Sequence, residues 1–182
     1  MSRLDFLLKE YRDQISLPWK GGLSAKERVI FLIYNKAEER LMAEKAAEFQ
    51  LATEAEGHGW KSIDLSMFFS QWIAGHKHRT AYFKNPEALL NNLDSEFGDW
   101  VIGRIHNVAA EVGPNDVLAL TGTPGLFGFL RLSEVVEKIS SGVKGRLVVY
   151  FPGVYENNHY RFLDSRDGWN YLAIPLTGQG GL

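Results

Sequence analysis

The stretch 117–151 constrains the fold of this chain more than any other part of it. An apolar run lies at each end, at 117–121 and 146–151, with almost no alternation of polar and apolar residues. Such runs are typical of strands buried on both faces of a parallel sheet. Between them, four apolar residues recur at intervals of three and four and predict a helix with one buried side: Leu132, Val135, Val136 and Ile139. The stretch therefore predicts a βαβ unit, with any ligand beyond the carboxyl ends of the strands, at 121–125 and 152–160.

Other segments extend this unit into a larger sheet. The segment 28–34 contains five successive large apolar residues, which predicts a strand at the centre of the sheet. The segment 60–66 alternates and is expected near an edge. A short strand is predicted at 161–163 and a final strand at 169–176, with Pro175 at its end. Helical spacing predicts helices over 3–15 and 35–53, the second with a buried stripe of Leu41, Ala46, Phe49 and Ala52.

The segment 67–112 is predicted to be helical and longer than a single crossover requires. Pro86 stands where a helix can begin, and helical spacing continues to about residue 110 with an interruption at Gly98. We therefore predict one α/β domain over residues 1–182, with a mainly parallel sheet of about five strands flanked by helices. It is a Rossmann-like or degenerate P-loop-like three-layer sandwich with a helical elaboration between the second and third strands. Residues 1–22 are expected to form an N-terminal helix and linker, and 177–182 a flexible tail.

Composition excludes several classes of function. Of 182 residues, 45% are hydrophobic and 23% charged, which is typical of a folded domain, and the formal charge of −2 provides no general attraction to nucleic acid or anionic lipid. The absence of cysteine removes disulfides and thiolate chemistry. No run approaches the roughly 18 apolar residues of a membrane helix, and the N-terminus lacks the apolar core of a signal peptide. We expect a cytoplasmic protein with no membrane partner, no metal and no cofactor.

The first candidate site is the glycine-rich segment that follows the strand at 117–121. Backbone amides at such a position can bind phosphate; the residues concerned are Thr121, Gly122, Thr123 and Gly125. Neither the P-loop motif GxxxxGK[ST] nor the dinucleotide motif GxGxxG is present. We interpret the segment as a βα turn, with an anion or nucleotide loop as the alternative.

The second candidate is the basic segment 76–84. Lys77, Arg79 and Lys84, interleaved with Tyr82 and Phe83, are candidate contacts to nucleic acid. His76 and His78 share a face in an extended chain and suit a metal, but no third ligand follows at a useful spacing. A solvated linker between two helices is the favoured interpretation.

The third candidate is a loop expected at 152–160, rich in polar and aromatic residues. We consider it a partner-binding loop formed by Pro152, Gly153, Tyr155, Asn157, Asn158, His159 and Tyr160. His159, with Asp164 and Asp167 nearby, has the composition of a general base. The chain has no GxSxG elbow and no cysteine, so we interpret these polar side chains as hydrogen-bonding the backbone of an ordered loop. The aromatic residues fit an anchor patch for a partner protein.

Three strings in the chain resemble a known family. They are RVIFLIYNKAEERL, LALTGTPGLFGFLRLSEV and GRLVVYFPGVYENNHYRFLDSRDGWNYLAIPL. Together they resemble the BrxB family, small core proteins of the BREX bacteriophage-defence systems of bacteria, from about residue 4 to about residue 176. These systems include a DNA methyltransferase, an ATPase and PglZ, a protein with an alkaline-phosphatase-like domain. The family has no established catalytic residues, so the resemblance implies no active site.

The resemblance implies a noncatalytic adaptor that binds other BREX proteins, with PglZ as the first candidate, and reaches DNA only through the complex. The surfaces expected to bind are 121–125, 152–160 and the exposed face of the helix at 86–110. Two alternatives remain open. The first is a nucleotide- or phosphate-binding switch or enzyme that uses the 121–125 loop, and the second is a nucleic-acid-binding protein that uses the 76–84 segment.

Overall fold

A computed structural model of the chain describes residues 1–165 and 168–179. Within them the strands are β1 (Val29–Tyr34), β2 (Gly59–Asp64), β3 (Asp116–Thr121), β4 (Arg146–Glu156), β5 (His159–Phe162) and β6 (Ile174–Leu176). The α-helices are α1 (Arg3–Ile15), α2 (Glu39–Glu44), α3 (Ala46–Ala55), α4 (Phe68–Gly75), α5 (Arg79–Lys84), α6 (Pro86–Leu90), α7 (Gly98–Ala109) and α8 (Leu132–Ser140). None of the helices in these residues is both long and apolar enough to cross a bilayer.

The strands form one mainly parallel sheet in the order β2-β3-β4-β1-β6, and β5 pairs with β4 in the antiparallel direction. Strands β3 and β4 are parallel neighbours joined through α8, so the predicted βαβ unit is confirmed. Every residue of β1 is buried, and β1 lies inside the sheet between β4 and β6. The sequence placed it at the centre, but the middle strand is β4; β2 lies at an edge, as predicted. The α/β prediction with a mainly parallel sheet is therefore correct.

Helices cover both faces of the sheet and produce three layers. Phe31 and Ile33 of β1 face a core shared with α7 and α8. Ile30 and Leu32, which alternate with them, face a second core shared with α1 and α3. Because successive strand residues point to opposite faces, an entirely apolar strand requires a helical layer on each side.

Helix α1 begins and ends where the sequence predicts. The Ser2 hydroxyl accepts the Asp5 amide, while the Asp5 carboxylate accepts the Ser2 amide at 2.7 Å, which completes a capping box. The Lys45 ammonium lies 2.8 Å from Asp5, and this contact together with the Ser2 hydrogen bonds holds the pKa of the Asp5 carboxyl well below its usual range. A hydrogen bond of 2.6 Å between the hydroxyls of Tyr11 and Thr53 then ties α1 to α3 inside the core.

The helix predicted over 35–53 is divided into shorter pieces. Asn35 caps a 3-10 turn at Lys36–Glu38, and α2 and α3 are separated at Lys45. Because the helix is interrupted there, α2 and α3 need not share one buried stripe. Leu41 is consequently exposed, and Met42 is the buried residue of α2, so the sequence-based assignment of Leu41 to the core is wrong.

The helical elaboration lies between β2 and β3, where it was predicted, and consists of α4 to α7. Helix α6 begins at Pro86. A π-helical turn at Leu93–Phe97 then interrupts the helical run directly before Gly98. Three residues at helical spacing place α7 against the sheet: Val101, Ile105 and Ala109. The expected extended helix at 86–110 is therefore a bent series of short helices, of which the last packs into the core.

The segment 152–160 belongs to a β-hairpin and is not the long ordered loop that the sequence predicted. Strand β4 continues to Glu156, and a two-residue turn at Asn157 and Asn158 leads into β5. The φ angles of these asparagines are 51° and 62°, the left-handed conformation that two-residue hairpin turns require and that asparagine tolerates.

The C-terminal region differs from its prediction in two ways. The final strand, expected over 169–176, consists of Ile174–Leu176 with Pro175 inside it, which an edge strand permits because one side needs no donor. The amides of Thr177 and Gly178 both donate to the Glu10 carboxylate, at 3.0 and 2.9 Å. These two residues are therefore fixed to α1, contrary to the expected flexible tail; positions 180–182 lie outside the described residues.

Candidate functional site

An open cavity of about 580 Å³ lies between the segment 127–133 and the β5 region. Aromatic side chains dominate its lining: Phe127, Phe129, Tyr160, Phe162 and Trp169. Asp94, Arg131 and Ser133 provide polar groups. We call this cavity the aromatic groove. Its volume falls in the range of about 300–1,000 Å³ that is common for ligand sites.

A tight turn after β3 builds the first wall of the groove. A 3-10 turn at Thr123–Leu126 reverses the chain, and the amide of Phe127 donates to the Pro124 carbonyl at 3.0 Å. Phe129 is anchored by stacking on Phe69, with ring centroids 3.9 Å apart. Phe127 remains 45% exposed, and its ring contacts Phe162 across the groove at 6.0 Å. The turn thus presents one aromatic side chain to solvent on a fixed backbone.

The second wall is the β-hairpin extended by Trp169. Tyr160 and Trp169 exchange two backbone hydrogen bonds, of 2.7 and 2.8 Å. Their rings pack on Phe31 of the buried strand β1, at centroid distances of 4.7 and 5.2 Å. Because these rings rest on the sheet core, the groove has a rigid floor, which lowers the conformational entropy lost on binding.

The 121–125 segment is packed against the loop that follows β2. Gly122 has a φ of 63°, and a Cβ atom there would lie 2.0 Å from the Asp64 carboxylate and 2.7 Å from the Ser66 nitrogen. A Cβ at Gly125 would meet the Leu65 carbonyl oxygen at 2.7 Å. The buried Thr123 hydroxyl donates to the Tyr150 carbonyl at 2.7 Å. These contacts leave little room at the segment, and the nearby Asp64 carboxylate would repel an anion. They favour the interpretation of the segment, which begins at Thr121, as a βα turn and disfavour the alternative of an anion-binding loop.

Replacing Gly122 with alanine should lower the free energy of unfolding by about 1–2 kcal/mol from the left-handed backbone alone. The clash with Ser66 should add to this cost. Gly128→Ala is the matched control, because its φ is 83° but nothing lies within 4 Å of the added carbon. Urea unfolding should find Gly122→Ala to be the less stable variant. Equal stabilities would contradict the close packing described for this turn.

The hairpin residues 152–160 divide into buried and exposed groups. Pro152, Gly153 and Tyr160 are buried, so Tyr160 is a core residue and not the exposed anchor that the sequence suggested. Tyr155 is half-buried and donates to Asn158 at 3.1 Å. The exposed residues of the hairpin are Val154, Glu156, Asn157, Asn158 and His159. The outer residues of β4, the turn and part of Tyr155 are therefore accessible to a partner.

His159 has no carboxylate partner among the described residues. Its Nδ1 lies 2.8 Å from the Asn157 carbonyl, which can only accept, so Nδ1 is the donating nitrogen. The nearby Asp164 instead pairs with Lys36, at 2.5 Å. This geometry supports a role of His159 in holding the hairpin turn, whereas the general-base interpretation also invoked Asp167, which lies outside the described residues.

The two histidines of the 76–84 segment do not converge on an open site. His76 has a nearly buried side chain; its Nε2 lies 2.7 Å from Glu96, and its Nδ1 accepts the His78 amide. Both ring nitrogens are therefore engaged. In the part of the chain that the structure describes, no group of three or more His, Asp or Glu side chains is placed to hold a metal ion.

The basic residues of this segment are exposed, while one of its two aromatic residues is not. Lys77, Arg79 and Lys84 face solvent, and Phe83 is exposed beside them. Tyr82 is buried, so it cannot stack on a base as the sequence suggested. Nucleic-acid binding by this segment stays a prediction, and the structure adds no further contact residue to those that the sequence indicated.

Comparison with known protein families, with curated proteins and with solved structures finds no match for this chain. Its functional interpretation therefore depends on its own residues and geometry. The aromatic groove combines a rigid apolar surface with a few polar groups at its edge. Such a surface can bind an apolar or aromatic side chain of another molecule.

Sequence reasoning did not single out Phe127, Phe129 or Asp94, and it placed Trp169 only at the start of the final strand. One signal was present: Phe127 and Phe129 flank Gly128 in a turn between a strand and a helix, where an aromatic residue has few neighbours to bury it. Asp94 had no such signal, because it approaches the groove only through the folded helical elaboration.

Proposed function

We propose that this protein is a noncatalytic assembly protein of a BREX bacteriophage-defence system in the bacterial cytoplasm. It binds other BREX proteins, with PglZ as the first candidate, and thereby supports methylation of host DNA and restriction of phage. The three strings that resemble the BrxB family support the assignment to this system. The aromatic groove supports the role in binding.

The observation on which the binding role depends is the exposure of Phe127 at a rigid aromatic surface. Aromatic side chains contribute a large share of the binding energy at protein interfaces, because they bury much apolar area with few rotatable bonds. The hairpin and the turn that form the groove both rest on the sheet, so partner binding requires little reordering. We propose that the groove receives an apolar side chain of the partner.

Expression of the whole operon with an affinity tag on this protein tests the proposal. We expect PglZ to copurify in a fixed ratio and to remain bound through size-exclusion chromatography. Cells lacking this protein should lose host-DNA methylation and phage restriction together. Recovery of the tagged protein alone, with all other components expressed, would contradict an assembly role.

The same purified protein discriminates the two alternatives. A switch or enzyme at the 121–125 loop predicts thermal stabilisation by a nucleotide, or turnover of a substrate, and both should be lost in a variant of that loop. A nucleic-acid-binding protein predicts DNA or RNA binding that weakens steeply with salt and depends on Lys77, Arg79 and Lys84. An assembly protein predicts neither result.

A further inference from the structure

Two arginines lie next to each other at the amino ends of the central strands. Arg28 directly precedes β1, and Arg146 is the first residue of β4. Because Val29 and Leu147 are register partners in these parallel strands, the two arginines are also adjacent. They lie at the amino ends of the strands, whereas the aromatic groove lies at the carboxyl ends, at the opposite end of the sheet. A site here is therefore independent of the proposed function.

Arg146 is buried without a partner for its charge. The residue is only 9% exposed, and its guanidinium carbon lies 4.7 Å from the centroid of the Trp19 ring. Its side chain forms neither a hydrogen bond nor an ion pair with any described residue. Buried charges in proteins are normally paired, because removing an ion from water is costly.

Arg28 adds a second cation with incomplete hydrogen bonding. Two of its nitrogens donate to the carbonyls of Leu23 and Val143, at 2.9 and 3.0 Å, while its Nε is buried with no acceptor. The Asp116 carboxylate, at the start of the adjacent β3, accepts the amides of Gly59 and Gly113. Among the described residues, neither arginine forms an ion pair with it or with any other carboxylate. Burial and the charge of Arg28 lower the pKa of Arg146, in agreement with two neighbouring cations in a partly buried position.

The Trp19 ring that lies against Arg146 is itself held by a second aromatic side chain. The Trp19 ring stacks on the imidazole of His58, with centroids 3.8 Å apart and planes at 8°. The Nδ1 of His58 lies 3.0 Å from both the carbonyl and the side-chain oxygen of Asn115, which fixes the imidazole in this position. The side-chain nitrogens of Arg146 form no hydrogen bond with the described residues, yet they are not fully buried. The guanidinium therefore keeps some contact with solvent beside the Trp19 ring.

We propose that Arg146, supported by Arg28 and covered by Trp19, binds an oxyanion, that is, a carboxylate or phosphate group of a ligand. The planar guanidinium presents parallel N–H donors that match two oxygens of such a group. The anion compensates the charge of both arginines. Its oxygens accept hydrogen bonds from N–H groups that have no acceptor among the described residues. Burial strengthens this interaction relative to one at an open surface.

Titration of the full-length protein with sodium phosphate and, separately, sodium acetate tests this site, with sodium chloride keeping the ionic strength constant at neutral pH. The readout is the indole N–H resonance of Trp19 in a nitrogen-edited NMR spectrum, assigned with Trp19→Phe. We expect a saturable shift with at least one of the two anions. The tighter-binding anion identifies the site as one for phosphate or for carboxylate groups.

Arg146→Gln should weaken the binding at least about tenfold, because it removes the charged donor pair. Arg104→Gln is the matched control, since Arg104 also lies over a tryptophan ring, 5.0 Å from Trp100, at a remote position; it should leave the shift unchanged. Arg146→Lys, which keeps the charge but not the fork, should give intermediate binding and serves if the Gln variant does not fold. The absence of a saturable shift with both anions, or equal binding by all variants, would overturn the proposal.

Discussion

Replacing Tyr160 with alanine is expected to lower the free energy of unfolding by about 3–5 kcal/mol, the cost of deleting a large buried ring. The residue is only 1% exposed, and its ring contacts Phe31 at 4.7 Å and Phe151 at 5.9 Å. Its hydroxyl donates to the Ala173 carbonyl at 3.1 Å, so the cavity would also leave an acceptor without its donor. Equilibrium unfolding in urea, followed by circular dichroism, measures the effect.

Tyr160→Phe is the matched control for this prediction. It keeps the ring and removes only the hydrogen bond, so a loss of about 0.5–1.5 kcal/mol is expected. The comparison separates the packing of the ring from the contact of the hydroxyl. If Tyr160→Ala were nearly as stable as the natural chain and lost only its partner, Tyr160 would be a surface anchor and the burial described above would be wrong.

The parts of the fold that the sequence predicted are those where local pattern and tertiary burial agree. Strand β1 is a continuous apolar run and lies inside the sheet, between β4 and β6, with every residue buried. Helix α1 follows its predicted bounds because its capping box and its apolar stripe specify the same segment. The break at Lys45 could not be predicted, since no glycine or proline marks it. Leu41 belongs to α2, before this break, and is exposed although the sequence pattern assigned it to the buried stripe.

The candidate sites were harder to predict, because each depends on contacts between distant segments. In the sequence, Asn157 and Asn158 look like part of a loop. They can be recognised as a hairpin turn only once β4 is seen to continue past Pro152, which pairs with Tyr34 of β1. The aromatic groove forms only when the turn after β3 meets the hairpin. At the opposite end of the sheet, an arginine directly precedes each of the apolar runs 29–34 and 147–151, which is visible in the sequence. The position of Arg146 against the Trp19 ring, with no ion pair to a described residue, becomes evident only in the folded chain.

Phe127→Asp is expected to weaken binding to PglZ by about 30-fold or more, equivalent to about 2 kcal/mol for loss of an interface hot spot. The side chain lies at the mouth of the aromatic groove and is 45% exposed, so a charged replacement remains compatible with folding. It would place a carboxylate where the partner is proposed to bury an apolar group, which opposes binding strongly. Isothermal titration with purified PglZ measures the affinity, and urea unfolding confirms that the variant is folded.

Leu90→Asp distinguishes the groove from the helical elaboration, the other surface expected to bind a partner. Leu90 belongs to α6 and is 64% exposed, so the two variants introduce the same charge at exposed apolar positions on different surfaces. We expect Leu90→Asp to bind PglZ with unchanged affinity, because α6 lies outside the groove lining. If Leu90→Asp prevented binding and Phe127→Asp did not, the helical elaboration would be the interface. The aromatic side chains that line the groove and pack on β1 would then have only a structural role.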